Sequence, residues 1–174
     1  INGTGAEVAA AFAVIDTNTG NATAHITGND YTVAQLKAIN AATTGAIVLA
    51  DPSAALSGTS GDLVLAFAGS VTTHTGTVGI TNNDYTAAQL QTINNASTGA
   101  ITLTSPAIGI SGNADVLAEA LAGTINHTGA VSVGNAHNLA QLKAINNGTA
   151  GTITLTSYAV ALSGSTSDIK DALA

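Results

Sequence analysis

Cysteine, methionine, tryptophan and arginine are all missing from this sequence. Without cysteine there is no disulfide framework and no thiolate to hold a metal. Three lysines stand against ten acidic residues, for a formal net charge of −7, so the chain lacks the cations needed to neutralise phosphates and nucleic acid is not an expected partner. Charged residues make up only 7% and aromatic residues 3%, which leaves a core to be built from Ile, Leu, Val and Ala in thin layers. At 45% the hydrophobic content is too high for a disordered chain. No apolar run approaches the roughly 18 residues of a membrane-spanning helix, so no membrane span is expected. The chain opens on Ile1 with neither an initiator methionine nor a secretion signal, as expected of a mature product or a fragment.

What is present is repetition. Residues 75–123 read as a strand (77–81), a polar turn (82–84), a helix (86–94) and a second strand (100–104). A short apolar run (107–110) and a second helix (115–122) follow, closed by Gly123. Gln35-Leu36, Gln89-Leu90 and Gln141-Leu142 mark one helix three times, about 54 and then about 52 residues apart. Gly45, Gly99 and Gly151 keep that spacing, as do Ser57-Gly58, Ser111-Gly112 and Ser163-Gly164, and the Gly residues read as closing turns. Thr4-Gly5-Ala6-Glu7 and Phe12-Ala13 match 59–62 and Phe67-Ala68. The chain therefore divides into a closing helix of a preceding unit (1–15) and three units (16–69, 70–123, 124–174), all in a single array over 1–174. The terminal helices are as apolar as the internal ones, whereas array ends normally carry a polar outer face. That predicts either a piece of a longer array or end-to-end stacking on copies of the same chain.

Local chemistry places the helices. Thr4 with Glu7, Thr32 with Gln35, Thr86 with Gln89 and Asn138 with Gln141 have the spacing of a capping box, in which each partner satisfies a free amide at the helix start. Val8 and Phe12, and then Val33, Leu36 and Ile39, recur at helical spacing. Asn40, Asn94 and Asn146 read as helix stops, since Asn tolerates a left-handed backbone. The shorter helices are expected to be capped around Thr59 with Asp62 and Ser165 with Asp168, with Asp115 shifted by one, and Gly69 and Gly123 to end them. Residues 16–21 form a polar turn cluster before a weak strand at Ala24-His25-Ile26. Segments 44–49, 101–104 and 153–156 alternate as strands with Ile and Leu inward and Thr outward. The runs 54–56, 107–110 and 159–162, each ended by Ser-Gly, are candidate second strands. Strand then helix, twice per unit, predicts parallel strands. The fold class is α/β: a repeat solenoid of parallel strands and short helices, about 52–54 residues per repeat.

Residues that could carry chemistry are few. His74 and His127 stand in matching His-Thr-Gly triplets, with Asn18 in that place in the first unit; one His per unit falls short of the three or four ligands of a metal site, so both read as turn residues. Asp30 and Asp84, in the oxygen-rich turns Asn29-Asp30 and Asn82-Asn83-Asp84, are the weak calcium candidates. The third unit has Asn135-Ala136 there, and turn chemistry accounts for these residues with no metal, so no cofactor is expected. Tyr31, Tyr85 and His137 precede the caps, where a side chain packs as a hydrophobic staple. Thr102-x-Thr104 and Thr154-x-Thr156 invite a flat threonine array, which Val48-x-Ala50 interrupts. Asn2, Asn21, Asn95, Asn126 and Asn147 each begin an Asn-x-Ser/Thr site, which makes glycans a candidate partner. No nucleophile elbow, zinc-protease motif or phosphate loop occurs, and the carboxylates are spread singly, so no enzymatic activity is expected.

The segment 85–104, Tyr-Thr-Ala-Ala-Gln-Leu-Gln-Thr-Ile-Asn-Asn-Ala-Ser-Thr-Gly-Ala-Ile-Thr-Leu-Thr, resembles the repeats of very large secreted bacterial surface proteins. These include adhesin-like and S-layer-like proteins, notably of cyanobacteria and some proteobacteria, often exported by type I secretion. The resemblance covers nearly the whole chain and implies an extracellular, cell-surface location with a structural or adhesive role. The calcium-binding nonapeptides that often accompany such regions are absent here. The expected function is a structural repeat protein in a surface layer, fibre or adhesin stalk. Its partners would be copies of itself or further repeats, end to end. The alternative is a glycan- or surface-binding module that uses a Thr/Asn-rich face.

Overall fold

The computed structural model describes residues 1–15 and 20–174. The Asn18 position and most of the 16–21 turn cluster lie outside the described residues. The chain is α/β, and the described residues form seven helices and three small parallel sheets of three strands each. The first sheet contains β1 (Asn2–Gly3), β2 (Ala24–Ile26) and β3 (Ile47–Leu49). The second contains β4 (Leu56–Gly58), β5 (Val78–Ile80) and β6 (Ile101–Leu103), and the third β7 (Ile110–Gly112), β8 (Val131–Val133) and β9 (Ile153–Leu155). The register recurs: Ala24 faces Ile47, Val78 faces Ile101 and Val131 faces Ile153.

The helices alternate in length. α2 (Val33–Ala42), α4 (Ala87–Ala96) and α6 (Leu139–Gly148) have 10 residues each, and each connects the second and third strands of one sheet. α3 (Ser60–Ala66), α5 (Ala114–Ala120) and α7 (Thr166–Ala172) have 7 each, and α1 (Gly5–Ala13), which matches them in sequence, has 9. α1, α3 and α5 each connect the first and second strands of one sheet, and the chain passes from sheet to sheet between β3 and β4 and between β6 and β7. After β4 and α3, Val71 bridges back to Ile47 on β3 before the chain enters β5. After β7 and α5, Ile125 bridges back to Ile101 on β6 before β8. Adjacent sheets are thus laced together. Each helix packs on the one before it and the one after it.

Sequence explains much of this directly. All four capping boxes are formed, with Thr32 N–H donating to Gln35 Oε1 at 2.9 Å and Gln35 N–H to Thr32 Oγ1 at 3.3 Å as the pattern. Leu36, Ile39, Leu90, Ile93 and Ile145 are completely buried at helical spacing. Full burial of one such side chain stabilises by about 1.5–3 kcal/mol. On the strands Ile101 and Leu103 point inward while Thr102 and Thr104 face out. Gly69 and Gly123 follow the short helices with φ of 71° and 72°, a backbone that favours glycine.

Three expectations need correction. Asn40, Asn94 and Asn146 do not stop their helices. They lie inside α2, α4 and α6, and no described residue other than glycine has positive φ. Of the runs ending in Ser-Gly, two yield strands that include Ser57-Gly58 and Ser111-Gly112 rather than ending before them; 159–162 forms none. Finally, Gly99 and Gly151 do not serve a turn conformation. A Cβ at either would run into the backbone carbonyl of Gly76 or Gly129, just before β5 and β8, so they permit close approach between neighbouring segments.

Candidate functional site

The sequence candidates for chemistry resolve into structural positions. Tyr31 and Tyr85 are 3% exposed, and each hydroxyl donates onward to a carbonyl some twenty residues later, Asp51 at 3.1 Å and Ser105 at 2.7 Å. Burial pushes both phenols above their ordinary pKa. His137, in the third copy of that place, is also buried, with Nδ1 3.2 Å from the Asn135 carbonyl. None offers a ring to a ligand. Tyr158, 83% exposed, is the one exposed Phe or Tyr ring among the described residues.

Asp30 and Asp84 precede α2 and α4, on separate turns. Asp84 accepts from Asn82 Nδ2 at 2.5 Å. Asn82 in turn accepts the Ser60 amide at 2.8 Å and donates to Ser60 Oγ at 2.9 Å. This oxygen-rich turn therefore completes the start of α3. Among the described residues no three His, Asp or Glu side chains converge. Thr102 faces Gly79 and Thr154 faces Ser132, in different sheets, so the threonines form no continuous array. Of the glycan candidates, Asn95 donates to Glu119 Oε2 at 3.0 Å and Asn126 to the Leu103 carbonyl at 3.2 Å.

His74 and His127 occupy matching corners, each bridged to the next strand, His74 to Ser97 and His127 to Thr149. Neither is a surface turn residue; they are 0% and 2% exposed. His127 Nδ1 lies 2.8 Å from Thr149 Oγ1 and Nε2 lies 2.9 Å from the Ile108 carbonyl. Neither nitrogen of His74 has a hydrogen-bond partner among the described residues. Its ring instead stands edge-on to Phe67 and Tyr31, with centroids at 5.6 and 6.4 Å. Burial holds both imidazoles below their ordinary pKa of 6.5, and the Ile108 bond partly opposes this at His127.

A row of asparagines, misread from sequence as stops, joins helix to helix. Asn40 Nδ2 donates to the Leu65 and Ala68 carbonyls at 2.9 and 2.5 Å, Asn94 to Glu119 at 2.7 Å, and Asn146 to Asp171 at 3.1 Å. These carbonyls end the short helices, where intrahelical partners run out. Beside them Lys37 pairs with Asp62, Gln91 donates to Glu119, and Lys143 pairs with Asp168 and Asp171. The ion pairs are roughly half-exposed, so solvent screening leaves them weak. The signal available in sequence was an amide of middling helix propensity returning at one phase of every long helix.

The arrangement changes at the last sheet. The outer edge of β3 is covered by 70–72, that of β6 by 124–126, and that of β9 by nothing among the described residues. Ile153 and Leu155 are half-buried where Ile101 and Leu103 are each 2% exposed. Leu173, after α7, is 60% exposed where its counterpart Leu121 is 1% exposed. Leu142, Asn146, Gly151, Ile153, Leu155 and Leu173 line a groove of about 180 Å³ there. No helix of the described residues is long and apolar enough to cross a membrane. Comparison with known proteins adds no family: no family model, curated protein or solved structure matches the chain.

Proposed function

We propose that this chain is an extracellular structural repeat protein, an α/β solenoid of units of about 52–54 residues that forms part of a surface layer, fibre or adhesin stalk. One observation supports it above the others: the same contacts join each unit to the next, with Val71 and Ile125 bridging back to Ile47 and Ile101 and Asn82 and Asn135 accepting the first amides of α3 and α5 in the unit before. A unit that hands its unsatisfied groups to its neighbour is suited to an extended array, because stability then comes from stacking. The buried histidines and tyrosines serve the interior, and no catalytic role belongs to this reading. The array would lie end to end with further repeats or with copies of itself.

The experiment is to treat intact source cells with an external protease and to measure the intact mass of the native polypeptide. The reading expects release of this sequence from the cell surface. It also expects either a native mass far above 16.8 kDa or, at 16.8 kDa, an assembled particle. Protection of the sequence in intact cells, released only on lysis, would overturn the surface location. A monomer of 16.8 kDa at native concentration would overturn the array.

A further inference from the structure

We propose that the open edge of β9 and the adjoining side of α7 form a docking surface for one kind of partner, a long-helix half-unit of this same repeat type. It would lay a parallel segment of the form Ser/Thr-Val/Ile-Thr/Asn on β9 and pack its helix on α7. This rests on the array reading above and narrows it, since it specifies which of the two end-to-end partners fits.

The interior supplies the template. On β3, the Ile47 amide donates to Ser70 O at 2.7 Å, Thr72 N–H donates back to Ile47 O at 2.9 Å, and Thr72 Oγ1 accepts the Leu49 amide at 3.1 Å. On β6, the Ile101 amide donates to Thr124 O at 2.9 Å and Asn126 Oδ1 accepts the Leu103 amide at 2.7 Å. The third residue of the covering segment thus uses its side chain as an acceptor in both cases. Ile153 and Leu155 stand in the same register on β9, with no covering segment. The same half-unit would meet α7. The first amide of α3 is taken by Asn82 Oδ1 and that of α5 by Asn135 Oδ1, both at 2.8 Å and both just before the next long helix. Ser60 and Ala114 are accordingly 1% and 0% exposed, whereas Thr166 in that place on α7 is exposed.

The α1 side of the described residues is not that partner: its Thr4 cap corresponds to the Ser165 cap of α7, so the two stand at one phase of the repeat. Abutting them sets a short helix on a short helix. Every interior contact between successive helices pairs the α1, α3, α5, α7 set with the long set.

The test is a chain in which residues 123–157 are repeated after Ala174, compared with one carrying a scrambled extension of the same composition. Amide hydrogen exchange is read at Ile101, Leu103, Ile153 and Leu155. The genuine extension is expected to slow exchange at Ile153 and Leu155 by roughly 100-fold or more, toward the rates at Ile101 and Leu103, and the scrambled one to leave it fast. Fast exchange at Ile153 with the genuine extension, while Ile101 stays protected, overturns the docking surface and leaves the array reading standing. Fast exchange at Ile101 as well sinks the array reading itself. Concentration-dependent protection of Ile153 in the unextended chain, with sedimentation as a dimer or larger, would show that a second copy binds there and would also overturn the proposal.

Discussion

The corners at His74 and His127 share backbone, register and burial, yet His127 is hydrogen-bonded at both nitrogens and His74 at neither among the described residues. The difference traces to a neighbour. Phe67 caps α3 where Leu121 caps α5. Against Phe67 and Tyr31 the His74 ring makes edge contacts to aromatic rings. In the unit where Leu121 replaces Phe67, the His127 ring spans between the Ile108 carbonyl and Thr149. The same residue at the same repeat position therefore acts as packing in one unit and as a polar strut in the next. Repetition of sequence does not guarantee repetition of interaction.

Four measurements would break or sharpen this comparison. The largest effect belongs to what the corners share. Gly99→Ala and Gly151→Ala each force a methyl into a neighbouring carbonyl, so each should cost about 3 kcal/mol or more in urea unfolding. A corner that tolerated the change would not share the backbone of the other. Next, His127→Leu should cost about 1–3 kcal/mol, because the Ile108 carbonyl loses its bond in a buried place. His74→Leu, by contrast, should be near neutral. Equal costs for the two would mean that His74 has a partner after all.

The third effect is on pH. Both imidazoles are held below 6.5 by burial, so the unfolded chain binds protons that the folded chain does not. Stability should be full above about pH 6.5 and decline as pH falls below it. The decline should be shallower in His74→Leu. The capping carboxylates Glu7, Asp62 and Asp168, themselves lowered by their bonds, lose their contribution further down, beneath 4.5 for the Glu and 3.8 for the Asp residues. Urea midpoints across this range would show a flat profile if neither ring is desolvated. The smallest effect should come from Phe67→Leu, which gives the His74 corner the Leu121 environment. The ring could then turn toward Ser97 Oγ and the Ala54 carbonyl, and its NMR titration should move upward toward that of His127. An unchanged titration would assign the difference to something other than the neighbouring ring.

These contrasts also separate what sequence discloses from what it withholds. Thr32 and Gln35 are three residues apart, and their bonds involve only each other, so the capping boxes could be read directly. Alternation at Ile101-Thr102-Leu103 was legible for the same reason, since a strand shows its two faces within three residues. Asn94 was misread because its partner, the Glu119 carbonyl, lies 25 residues away on another helix. From sequence alone, Asn near a helix end is a stop; only packing reveals a donor. Gly99 was likewise assigned to a turn, although what requires a glycine there is the carbonyl of Gly76, brought close by strand stacking. Residues 159–162 resemble the runs at the start of β4 and β7, but a strand is defined by pairing and these have no strand partner among the described residues. Local chemistry was visible; anything that depended on a segment some twenty residues away in sequence was not.

The alternation of long and short helices has a consequence for how a gene of this kind could change length. Deleting or duplicating a segment spanning one long and one short helix returns the protein to the same phase, and every asparagine finds a short-helix end to meet. Losing half of that segment sets like against like, leaving Asn94 or Asn146 without carbonyls of the right kind and a glycine without its counterpart. Recombination between copies should thus leave folded products only when it changes the number of units by whole steps. Allele lengths in natural populations would then be quantised by the fold, with the reading frame of inheritance set by helices rather than by codons.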